Sequence, residues 1–122
     1  MLSREEIQRD ILDWCQYHYK DNLAALALFD PKPINATFPS GDVNVLLILH
    51  SAPAEARDRY DLVAERLVGT IVPDSQVTCR IQTVDEIQSL ADLQMPLVSI
   101  YLNRAEIFYD PAQVLTEVRR TI

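Results

Sequence analysis

The sequence predicts a small mixed sheet covered by helices, an α/β (α+β) domain, with a two-layer sandwich as the expected packing. Three observations predict it. Residues 43 to 49, "VNVLLIL", are too apolar to face water on either side of a strand. Segments with helical spacing and strand-like segments follow one another along the whole chain. The 122 residues are enough to bury most of their apolar surface in one core, so a single domain, 1–122, is expected.

Ser3 and Glu6 form a capping box, and Ile7, Ile11, Trp14, Cys15 and His18 recur at helical spacing, which predicts a first helix from about Arg4 to Lys20. That spacing assigns Trp14 to the core and His18 to the core or its boundary. Tyr17 and Tyr19 fall elsewhere on the circumference, where they suit a partner interface at least as well as nucleotide stacking. Asp21 and Asn22 break the helix. Residues 23 to 29, "LAALALF", fit a short buried strand, although alanine favours helix and the first helix running on through them is the alternative. "DPKPINATFPSG", residues 30 to 41, carries three prolines and a glycine, which is loop composition.

Val43 to Leu49 then forms a strand. "HSAP" ends it, with His50 expected to cap the next helix and Pro53 placed to start it. Tyr60, Val63, Ala64 and Leu67 line one face of that helix, and Gly69 stops it. "SQVTCRIQT" alternates Val77, Cys79 and Ile81 against outward-facing Thr78, Arg80 and Gln82, a half-buried strand. Thr83 and Glu86 repeat the capping box before a short helix through Ala91. "LVSIYL", after Pro96, fits a helix or a strand. "AEIFYD" predicts a last strand, and Asp110 with Pro111 and Gln113 caps a final helix carrying Val114, Leu115 and Val118.

Composition excludes several function classes. The formal net charge is -7 and the pI about 4.6, which argues against a dedicated nucleic-acid surface. The densest basic group, Arg57, Arg59 and Arg66, is interleaved with Glu55, Asp58, Asp61 and Glu65 and reads as a solvated helix face. Mean hydropathy is -0.03, and no apolar run, whether Val45 to Leu49 or the seven residues 23 to 29, is long enough to span a bilayer. "MLSREEIQRD" lacks the apolar core of a signal peptide, so cytoplasmic residence is expected. Cys15 and Cys79, 64 positions apart with no CxxC, are expected to be buried reduced thiols. Gly41 and Gly69 are the only glycines, which excludes the GxGxxG and Walker loops.

Asp42 and Asn44 open the apolar strand two positions apart, so they share a face. Two acceptors there suit a cation, and the amide weakens the fit because it brings no negative charge. Upstream, "LALF" ends at Phe29, Asp30 and Pro31 follow, and ten residues run from Lys32 to Gly41 before Asp42-Val43-Asn44. With "PLVSIYLNRAEIFYDP" downstream, this layout resembles the minimal nucleotidyltransferases, small members of the DNA polymerase β superfamily, over about residues 23–111. Their signature is G-S, ten residues, then D-x-D. The resemblance implies a nucleotidyltransferase-like fold, with catalytic and metal-holding positions at Asp42 and Asn44. It implies nucleotide-binding positions at Asp30, Pro31 and the loop residue Ser40.

The departures from the signature share one direction. Phosphoryl transfer relies on metal ions that bridge phosphate oxygens, and the family holds them with both D-x-D carboxylates and usually a third on a later strand. Here Asn44 replaces the second acid, and Thr78, Arg80 and Gln82 offer no third. By the same resemblance, Asp30 would point negative charge at a polyanion, and Pro31 would remove an amide donor where glycine lets backbone approach phosphate. The expectation is a pseudoenzyme with no resident cofactor that serves as a binding, antitoxin-like or regulatory partner. By resemblance its protein partner is an all-helical HEPN protein, and a homo-oligomer is left open. The alternative is an active enzyme transferring AMP or another nucleotide from an NTP with Mg²⁺ held at Asp42. An unrelated α/β protein with structural Asp42 and Asn44 is the third reading.

Overall fold

The computed structural model describes residues 4–29, 43–52, 77–95 and 102–121. Helix α1 spans Arg4–Tyr19 and passes through a 3-10 turn, Lys20–Asn22, into strand β1, Leu23–Phe29. Strands β2, Val43–Leu49, and β3, Val77–Thr83, follow; helix α2 is Val84–Asp92, strand β4 is Glu106–Tyr109, and helix α3 is Val114–Thr121. The strands make one mixed sheet in the order β3-β2-β1-β4, with β2 parallel to β3 and the other two pairs antiparallel. The mixed α/β class is therefore as the sequence predicts. The helix expected after Pro53 and the segment "LVSIYL" as far as Tyr101 lie outside the described residues, as does Ser3 of the first capping box.

Side-chain size along β1 organises the packing. Leu23, Leu26 and Leu28 join a core with Ile11 and Cys15 of α1 and with Val45, Leu47, Leu49 and Ile81. Ala24, Ala25 and Ala27 join the opposite core, with Leu46, Ile48, Ile87, Ala91, Leu115 and Val118. Strict alternation does not put two consecutive alanines on one face. A register shift against β2 between Leu23 and Ala25 leaves Ala24 unpaired and resets the parity, as a β-bulge does. A second shift, against β4, leaves Phe108 between Tyr109, paired with Leu26, and Ile107, paired with Ala27. Phe108 and Tyr109 then both pack towards α1, while Ile107 packs towards α2 and α3.

This corrects the expected two layers to three. Helix α1 covers one face of the sheet and α2 with α3 cover the other, so β1 and β2 are buried on both sides. The continuous apolar run of β2 is the sequence trace of that double cover. It also explains why "LAALALF" is a strand in spite of its alanines: the flat alanine face lets α2 and α3 approach the sheet, and tertiary burial overrides helix propensity. Gln82, expected to face outward, is 9% exposed, because α2 starts directly after β3 and folds back over β3 and β2. Arg80 is exposed as expected.

Polar side chains finish the ends of these elements. Thr83 Oγ1 accepts from the Glu86 amide at 3.2 Å while Glu86 Oε1 accepts from the Thr83 amide at 2.9 Å, the predicted capping box. The Asp110 carboxylate accepts from the Leu115 and Thr116 amides and the Thr116 hydroxyl, fixing the start of α3. The Arg119 guanidinium donates to the carbonyls of Leu102 and Ala105, tying α3 to the segment before β4. Asn22 clasps the far end of β2: its amide nitrogen donates to the Ser51 carbonyl at 3.0 Å and its Oδ1 accepts from the Ser51 amide at 2.9 Å.

Two substitutions separate these contributions. Leu47→Ala, at a fully buried position, is expected to lower unfolding free energy by about 2–5 kcal/mol, and Thr83→Ala by about 1 kcal/mol. Urea denaturation checks both, and an equal loss in the two variants contradicts this ranking.

Candidate functional site

Asn44, picked out at the start of the apolar strand, sits where three strands run side by side. Asn44 of β2 is in register with Phe29, the last residue of β1, on one side and with Thr78 of β3 on the other. Val43 pairs with Val77 one step nearer the strand ends. The antiparallel β1–β2 pairing thus brings the end of β1 to the beginning of β2, and the parallel β2–β3 pairing sets the beginning of β3 beside it. Asp42, immediately before β2, lies outside the described residues, as do Asp30, Pro31 and Ser40.

Along β3 the register continues with Arg80 beside Leu46 and Gln82 beside Ile48. Leu46 and Ile48 belong to the core under α2 and α3, whereas Ile81 belongs to the α1 core, so Arg80 and Gln82 take the α2 and α3 side. Gln82 lies under that helical cover and Arg80 stands clear of it. Strands β1, β2 and β3 contain one charged residue between them, Arg80. Among the described residues no group of three or more His, Cys, Asp or Glu side chains could hold a metal ion.

The aromatic stretch near the end of α1 differs from its expectation. Trp14, assigned to the core, is half-buried, and His18, expected in the core or at its boundary, is exposed. The helical spacing itself holds, since the two rings four residues apart stack with centroids 4.8 Å apart at 17°. That stripe extends past the core, so His18 covers Trp14 instead of being covered. Tyr19 meets both rings edge-on, and Tyr17 is 83% exposed. Cys15 is buried and reduced, as expected. His50 is exposed, its amide donating to the Asn22 carbonyl at 2.8 Å. The Asn22 clasp and both register shifts left no motif in the sequence: an Asn-to-Ser contact 29 residues apart has no local signature.

No helix among the described residues is long and apolar enough to cross a membrane. Compared with known proteins, the chain matches no family model and none of the curated proteins.

Trp14 is the only tryptophan, so its emission reports directly on the ring stack. His18→Ala is expected to red-shift that emission and to cost about 0.5–1.5 kcal/mol of stability. An unchanged emission spectrum contradicts the stacked arrangement.

Proposed function

We propose that this chain is a nucleotidyltransferase-like domain that has lost catalysis and works by binding a protein partner. The observation that carries this reading is the register around Asn44. The neighbouring strand positions are Phe29 and Thr78, neither of them an acid, and the charged residue that β3 does carry is the cation Arg80. A pair of magnesium ions held against a triphosphate needs several carboxylates to balance its charge. Asp42 with an amide two residues later falls short of that, and an arginine on the next strand repels a metal ion. The same resemblance makes the partner an all-helical HEPN protein, with this chain in an antitoxin-like role.

Calorimetric titration with ATP and GTP, each with and without Mg²⁺, beside a radiolabel-transfer assay on cell lysate, tests this reading. The expected result is that magnesium makes no difference to binding and no label is transferred, while Asn44→Asp gains magnesium-dependent nucleotide binding. Metal-dependent micromolar binding by the natural sequence, with label appearing on a macromolecule, overturns it and makes Asp42 a catalytic ligand.

A further inference from the structure

We propose that the solvent-facing line of α1 side chains ending at Tyr17 is a docking surface for an arginine-bearing segment of a protein partner; the proposal deepens the partner-binding reading above and rests on it. Glu6, Asp10, Asp13 and Tyr17 follow one another at intervals of four, three and four residues, which places them on one side of the helix. Glu6, Asp13 and Tyr17 are exposed, and Asp10 is half-buried. No arginine or lysine of α1 falls on that line. Arg9 stands beside it, four residues before Asp13, and makes no ion pair with a described residue.

Aromatic rings close the line at its C-terminal end. Tyr17 is 83% exposed, more than any other large hydrophobic side chain among the described residues. Trp14, one turn before it, is stacked on exposed His18 with centroids 4.8 Å apart, and Tyr19 braces His18 edge-on at 4.7 Å. The rings beside Tyr17 are thus held in place before a partner arrives, which spares the cost of ordering them on binding. A guanidinium is planar, stacks on aromatic faces and pairs with carboxylates through a fork of donors, so rings and acids on one side of a helix select it on two separate grounds. The same acids disfavour a second copy of this chain as the occupant. Each copy carries a formal charge of -7, and two such surfaces set face to face repel.

The test titrates the full chain with an alanine-based helical peptide carrying an arginine on every turn, and with its glutamate twin, following backbone amides by NMR and the heat by calorimetry. The arginine peptide is expected to shift the Asp13, Tyr17 and His18 amides saturably, with affinity falling as salt rises, while those around Glu117, an exposed acid on α3 across the sheet, stay in place. The glutamate twin is expected not to bind. Tyr17→Ala is expected to weaken binding about tenfold and Asp13→Asn about two- to threefold, with Tyr17→Phe close to the natural chain. Shifts spread evenly over the acidic residues, or binding equally tight in Tyr17→Ala, overturn this proposal and leave the non-catalytic reading standing. Self-association in sedimentation that Tyr17→Ala abolishes also overturns it, because the occupant is then a second copy. Magnesium-dependent label transfer in the assay above, with the arginine peptide unbound, overturns both. If Tyr17→Ala does not fold, the shift map of the natural chain decides alone.

Discussion

The structure depends on burying the β1–β2 pair on both faces. Residues 23 to 28 and 45 to 49 are all 5% exposed or less. With no water at either face, every backbone amide and carbonyl of the pair needs a partner in the plane of the sheet. The pair satisfies its inner edges by itself, and β3 and β4 are needed for the two outer ones. Helix α1 on one side and α2 with α3 on the other are then required to keep the leucine and alanine faces dry. Each fully buried leucine or isoleucine contributes about 1.5–3 kcal/mol, so the central strands dominate stability while the caps trim the ends.

Much of this was legible because it is local. The capping box at Thr83 and Glu86, the Asp110 cap, the helical spacing of α1 and the apolar run of β2 all lie within a few residues of sequence, and the structure realises each. What stayed hidden depends on partners distant in the chain. The choice between strand and helix at "LAALALF" is made by β2 and β4 pairing on either side of it. The burial of Gln82 follows from where α2 turns back, and His18 is exposed while its ring stacks on Trp14. The third layer was illegible for the same reason: periodicity says that a face is apolar, not which element covers it.

The candidate site divides in the same way. Asp42 and Asn44 stand out in the sequence because a polar pair opens an apolar strand, and their spacing from Phe29 carries the family resemblance. Whether another acid approaches is a question of register. At the level of Asn44 the strands on either side contribute Phe29 and Thr78, and the next position along that face of β3 is Arg80. A metal centre assembles negative charge against the surrounding low dielectric. This end of the sheet carries an amide, Asn44, and a cation, Arg80, on the neighbouring strand.

That the start of β2 holds no metal centre is the central claim of the proposed function, and Mn²⁺ without nucleotide tests it most directly, because the paramagnetic ion broadens amide signals close to wherever it binds. In amide NMR spectra of the full chain, substoichiometric Mn²⁺ without nucleotide is predicted to leave Val43, Asn44 and Thr78 no broader than exposed amides elsewhere, such as those near Glu117. Selective loss of the Val43 and Asn44 signals at the first additions, reversed by excess Mg²⁺, contradicts the claim and restores a working cation site at the start of β2.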